Sequence, residues 1–160
     1  MKEKIKQKLD AARAGLLATL EGLDDAGWSA TVYAEGDSWS VADLVGHLAD
    51  AEWGMTRLVQ QIQQGGQGAP PDFDLERWNA RAVARAREKT PAGVLAQMAE
   101  NRANLLALID TLQEEDWPKQ GRHGGGHILS IEQIVRMVAV HEKGHTADIR
   151  RALDANQAPS

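Results

Sequence analysis

The chain has no cysteine. That absence excludes disulfides, thiolate metal sites and a cysteine nucleophile together, and leaves imidazoles and carboxylates as the side chains able to hold a metal. Basic residues are not in excess. Eighteen Lys and Arg stand against 23 Asp and Glu, for a formal charge of −5. An acidic chain without a basic tail is a poor general nucleic-acid binder, because that affinity comes largely from cations set against phosphates. Long apolar runs are missing too. The opening MKEKIKQKLDAARAGLLATL is charged every few residues and shows no cleavage site, so neither a signal peptide nor a membrane span of ~20 apolar residues is expected. The expected location is the cytoplasm. No segment shows strand-like alternation, and no internal repeat is evident.

What is present is helical period between Gly and Pro breaks. At 160 residues, a single domain over 1–160 is expected, large enough to bury a core without cross-links. Ile5, Leu9, Ala12, Leu16, Leu20 and Leu23 recur at steps of three and four and form one apolar face. The segment from Gly22 to Asp37 is rich in Gly, Asp and Ser and reads as a connection. Ser40, with Asp43 three residues on, opens a second helix from Val41 to about Gln64. QQGGQGAPP ends it. Asp74 caps a shorter charged helix from Leu75 to about Glu88. Thr90-Pro91 starts the third long one, carrying Leu95, Met98, Arg102, Leu105, Ile109 and Leu112. Trp117-Pro118 closes that region, and GRHGGGH reads as a flexible connection. Ser130 and Gln133 form a capping box before a last helix through Ile134, Val135, Val138, His141, His145 and Ile149. The expected fold is all-α, a four-helix bundle with one extra short helix between the second and third long helices.

Histidines supply the chemistry. His141 and His145 are four apart, so at about 100° per residue their rings leave one helix face a turn apart and can share one ion. Both continue the apolar stripe of Ile134 and Val138. His47 lies six residues into the second helix among Leu44, Leu48 and Ala51. A lone histidine there is more often a hydrogen-bonded core residue than a ligand, but facing helices of a bundle are where inward side chains build metal sites. His123 and His127 share the same spacing in a glycine-rich loop and read as loop residues near the mouth of a site.

His141-Glu142-Lys143-Gly144-His145 matches the H-E-x-x-H pattern of zinc proteases. Only 15 residues follow His145, and the further ligands such proteases require are missing. Glu142-x-x-His145 matches one unit of a di-iron bundle, but no second copy exists. A wider pattern fits better: Trp39-Ser40-Val41-Ala42-Asp43-Leu44-Val45-Gly46-His47-Leu48, then Ile131-Glu132-Gln133-Ile134, then His141 to His145 with Ala147-Asp148-Ile149-Arg150-Arg151 behind it. Over nearly its whole length the chain resembles the DinB/YfiT-like superfamily of four-helix bundles with a three-histidine metal site.

The resemblance implies that His47, His141 and His145 hold one divalent ion, Zn, Ni or Fe, which imidazoles do not distinguish. It also implies a homodimer. Three imidazoles leave a coordination position open, as in catalytic rather than structural sites. The implied activity is therefore that of a metalloenzyme on a small-molecule substrate. It is either a thiol-dependent transferase or isomerase, with a low-molecular-weight thiol as cosubstrate, or a hydrolase. The alternative is a non-catalytic, dimeric stress-associated or binding protein whose metal steadies the bundle. Asp148, about 20° from His141 on the same face, is the candidate to orient a histidine, add a fourth ligand or act as base. Equally, it could pair with Arg151 or Arg102. Asp50 is a lesser candidate of that kind. Glu142, about 100° from His141, is assigned to the surface or an interface. Trp39 is expected to pack as a staple, Trp78 to line the site or a dimer contact, and Trp28 and Trp117 to anchor loops.

Overall fold

The computed structural model describes residues 1–157; the last three residues of the expected domain and final helix lie outside them. Along the chain run α1 (Lys2–Leu20), α2 (Asp25–Ser29), β1 (Thr31–Tyr33), β2 (Trp39–Ser40), α3 (Val41–Gln63), α4 (Leu75–Ala86), α5 (Pro91–Thr111), β3 (Gln120–Arg122), β4 (Ile128–Ser130) and α6 (Ile131–Gln157). The long helices α1, α3, α5 and α6 form a four-helix bundle, with α1 against α6 and α3 against both α5 and α6.

The helix starts follow from side-chain chemistry. Ser40 Oγ accepts from the Asp43 N–H at 3.2 Å while the Asp43 carboxylate accepts from the Ser40 N–H at 3.0 Å. Ser130 and Gln133 exchange the same pair of bonds at the start of α6. Asp74 caps α4 and Thr90 caps α5, each accepting from the N–H three residues ahead. Such caps satisfy donors that the helix itself cannot, each worth about 1 kcal/mol. The short α4 packs on α3, where Gly46 permits close approach: a Cβ there would lie 2.3 Å from that of Ala86.

Two features depart from the expected all-helical chain. The Gly22–Asp37 connection contains α2 and the strand β1, and β1 pairs antiparallel with β2. The GRHGGGH segment is an ordered hairpin of β3 and β4 rather than a flexible connection. Its order comes from the loop after α3: the Arg122 N–H donates to Gln67 O at 2.9 Å, and the Ala69 N–H donates to Arg122 O at 2.7 Å. Gly68, at φ +89°, makes this possible, since a Cβ would sit 2.4 Å from Arg122 backbone atoms. Strands of three residues are too short to show an alternating pattern in sequence.

The core is split in two. One cluster is built around Ile5, Leu9, Leu105, Ile109 and Ile134, and the other around Leu16, Leu44, Leu48, Met98 and Ile149. Between them lies a buried ring of charge with one member from each long helix: Arg13, Glu52, Arg102 and Glu142. Glu52 accepts from Arg13 at 2.5 Å and from Arg102 at 2.6 Å, and Glu142 accepts from the same two at 2.5 and 2.7 Å. The side chains are only 4–11% exposed. The remaining guanidinium nitrogens donate to Met98 O at 2.9 Å and Leu9 O at 2.6 Å. Glu142 is thus not a surface residue. Turning about 100° from His141 carries it into the bundle, where two arginines neutralise it. Such a ring adds little net stability over apolar packing, but losing one member strands a buried charge.

Candidate metal centre

His47 on α3 and His141 and His145 on α6 meet in the bundle: the last two share a face as their spacing predicts, and His47 joins them as the resemblance implies. The Nε2 atoms of His47 and His141 are 3.2 Å apart, and those of His141 and His145 are 3.0 Å apart. All three residues offer a ring nitrogen within 4.8 Å of the others. Two nitrogens bound tetrahedrally at 2.0–2.1 Å to one ion would stand about 3.3–3.4 Å apart, so the observed spacing is close to that of a ligand shell.

Protonation gives a second test of fit. Asp148 accepts a hydrogen bond from the Tyr33 hydroxyl, whose oxygen is 2.8 Å from Nδ1 of His145. A carboxylate can only accept, so the Tyr33 proton goes to Asp148 and the Tyr33 oxygen accepts from Nδ1–H of His145. Nε2 of His145 then carries a lone pair directed at Nε2 of His141. If His141 donates to it, the His47 nitrogen competes for the same proton. If His47 donates to His141 instead, the pairs of His141 and His145 face each other. Either way two lone pairs converge with one proton between three nitrogens, and a cation suits that space better. Nδ1 of His47 is buried without a hydrogen-bond partner among the described residues, a cost that ligation through Nε2 would offset.

The rings are also held ready in their neutral form. Burial, then the neighbouring charges of His141 and His145, lowers His47 to about 3. Burial, then His145 and His123, lowers His141 to about 4. Burial likewise lowers His145, with Asp148 opposing it. At neutral pH no imidazolium has to be deprotonated before ligation, and the one remaining Nε2 proton need only shift to Nδ1 of its own ring.

Asp148 therefore reaches His145 through Tyr33 and also pairs with Arg151, whereas Arg102, the other expected partner, belongs to the buried ring. Its carboxylate stands 3.6 Å from Nδ1 of His145. Tyr33 was not anticipated: it is 112 residues from His145 in sequence, and only the β1–β2 hairpin brings it there. Burial and then Asp148 push its hydroxyl above the ordinary tyrosine range, so it remains a donor. Trp39, expected as a staple, packs against Tyr33 and His47, with ring centroids 5.1 Å from the latter. Asp50 is not at the centre. It accepts from Trp78 Nε1 at 2.7 Å and from Arg85 at 3.1 Å. His127 does not line the space above the triad, but His123 does.

That space is a cavity of about 550 Å³ bordered by His47, His141, Trp53, Phe73, Trp78 and His123, among others. The β3–β4 hairpin and the loop after α3 form much of its wall, so the ordered GRHGGGH segment shapes the approach to the histidines. Trp78 lines this cavity, as expected for one of its two roles, and Trp117 is buried in the core cluster of Ile5, Leu9 and Ile109.

The sequence model of the DinB superfamily matches residues 8–149. A protein of Oceanobacillus iheyensis named "putative metal-dependent hydrolase" is 29% identical over 138 residues, spanning 86% of this chain and 77% of its own. Among solved structures, YfiT from Bacillus subtilis, described as a probable metal-dependent hydrolase with an unusual four-helix bundle topology, matches with a TM-score of 0.81. The identity is 23%, over 99% of this chain and 89% of YfiT. A mycothiol-dependent maleylpyruvate isomerase matches with a TM-score of 0.77 at 15% identity, over 93% of this chain and 60% of the isomerase. At these identities the two structures speak for the fold alone.

Proposed function

The chain belongs to the DinB superfamily, and from that premise we propose that it is a metal-dependent hydrolase of a small-molecule substrate, with His47, His141 and His145 as the ligands of one divalent ion. The observation that carries this reading is the cavity reaching His47 and His141. A metal that only steadied the bundle would be sealed by side chains, whereas here the triad borders a space large enough for a ligand. A divalent ion bound there would supply Lewis acidity, polarising a carbonyl or lowering the pKa of a water or thiol.

The chain's own residues have separable tasks. The three imidazoles present lone pairs at neutral pH. Tyr33 holds His145 in the tautomer that frees Nε2, and Asp148 holds Tyr33, an outer arrangement of the kind that orients metal-binding histidines. Trp39 packs on the His47 ring and restricts its rotation. His123 accepts from the Gly125 N–H through Nδ1 at 3.1 Å, which leaves its Nε2 carrying the proton as a donor beside the cavity.

The chain has no thiol of its own, so the related reading, in which a low-molecular-weight thiol takes the place of water, requires a cosubstrate. The two are separated by assaying aryl esters and amides, and separately an electrophilic arene with glutathione, on protein loaded with Zn, Ni or Fe. Ester or amide turnover by the wild type that vanishes in His145→Ala supports the hydrolase. Turnover only with the thiol present moves the assignment to a transferase. No turnover with any metal contradicts both and leaves a non-catalytic metal-binding bundle.

A further inference from the structure

We propose that the cavity beside the triad takes a small planar aromatic molecule that is neutral or singly negative, and not a cation; this names a substrate class for the centre proposed above and rests on that reading. One wall is aromatic. The indoles of Trp53 and Trp78 lie 12° from parallel with centroids 6.4 Å apart, and Phe73 packs against Trp78 at 5.5 Å. Trp78 is fixed, because its Nε1–H donates to Asp50 and its ring is therefore held for contact with a ligand before one arrives. Trp53 is 41% exposed, unusual for so large an apolar side chain on a helix whose other apolar residues are buried or half-buried. Flat rings gain from stacking on such faces.

Charge decides the rest. Among the described residues no carboxylate lines the cavity, and Arg57 is the one fully charged lining residue. The Arg57 guanidinium carbon lies 5.5 Å from the Trp53 ring centroid, a cation–π contact that keeps positive charge at the aromatic wall. Asp50, behind Trp78, is already engaged by Trp78 and Arg85. A cationic ligand would meet Arg57 with no compensating anion, and a divalent ion on the triad would oppose it further. An oxygen-bearing aromatic has two partners here: Arg57 and the Nε2–H of His123. The volume of about 550 Å³ falls among those of small-ligand sites, roughly 300–1,000 Å³.

Gly54 on α3 offers a clean test, because it borders the cavity and a Cβ there meets nothing within 4 Å. A larger side chain would enter the ligand's space from a position that is not one of the three histidines. Calorimetric titration with 2-naphthol, 2-naphthoate and 2-naphthylmethylammonium, alongside metal analysis, compares wild type with Gly54→Leu and with Trp53→Ala. We expect the neutral and anionic probes to bind and the ammonium to bind about tenfold more weakly or worse. Gly54→Leu should weaken 2-naphthol by about tenfold or more with metal content unchanged. The exposed Trp53→Ala serves the same purpose should the leucine disturb folding. Equal or tighter binding of the ammonium, or 2-naphthol binding untouched by both substitutions, overturns the proposal. So does 2-naphthol affinity that falls as protein concentration rises, which would mark the wall as covered by a second copy. Naphthol binding that Gly54→Leu abolishes in a protein that never takes up metal would sink the proposed centre while leaving the ligand class standing.

Discussion

Replacing Arg102 by methionine removes one corner of the buried ring and should be among the most damaging single changes in the molecule. The lost guanidinium donates to Glu52 at 2.6 Å, to Glu142 at 2.7 Å and to Leu9 O at 2.6 Å. Arg13 would then face two carboxylates alone, leaving one negative charge uncompensated among side chains about 4% exposed. Breaking a buried pair in this way costs about 3–5 kcal/mol, against a total stability of about 5–15 kcal/mol for a typical domain. Methionine keeps much of the apolar volume, so cavity formation should add little. Urea unfolding followed by far-UV circular dichroism measures the loss. The fourfold variant Arg13→Met, Glu52→Leu, Arg102→Met, Glu142→Leu strands no charge and should recover most of it, since apolar replacement of a complete buried network is often neutral or better. A loss below about 1 kcal/mol for Arg102→Met alone would show that the ring is hydrated or its members independently satisfied, and would refute the reasoning.

Other consequences are as direct. Tyr33→Phe removes the acceptor that fixes His145 and should weaken metal binding about 10–100-fold, the usual effect of losing an outer partner of a ligand; chelator competition measures it, and unchanged affinity would dismiss the tautomer argument. The metal-free protein should lose stability as pH falls from about 6.5 toward 4. His47 and His141 take up protons only near about 3 and 4 when folded but near 6.5 when unfolded, so each contributes a slope of up to about 1.4 kcal/mol per pH unit in that window. Thermal melts across pH 4–7 test this, and a flat profile there would argue against neutral buried rings. Gly54→Ala should stabilise the protein by about 0.5–1 kcal/mol through helix propensity alone, whereas Gly46→Ala should destabilise it, since its new methyl would meet Ala86 at 2.3 Å; matched urea titrations rank the pair.

The parts of this molecule governed by local rules could be read from its sequence. Helix starts at Ser40, Asp74, Thr90 and Ser130 follow from capping within four residues, and the i, i+4 spacing of His141 and His145 fixes them on one face whatever the fold. His47 joined them through its place on the inward face of a second long helix, with the family resemblance setting the pairing. What escaped depends on distant packing. Glu142 has no local signal separating a surface carboxylate from one neutralised by Arg13 and Arg102, which are 129 and 40 residues away. Tyr33 reaches His145 only through a hairpin whose strands are too short to show a period. The order of the GRHGGGH segment resides in Gly68 and the backbone of Gln67 and Ala69, partners its own composition does not reveal.

Metal content tests the central claim most directly. Elemental mass spectrometry on untagged protein, wild type beside His47→Ala, should find about one divalent ion per chain in the first and none in the second. Both proteins should retain the helical circular dichroism of the bundle. No metal in the wild type even after incubation with zinc or nickel, or an equal amount in the variant, would contradict the assignment of His47, His141 and His145 as a metal centre.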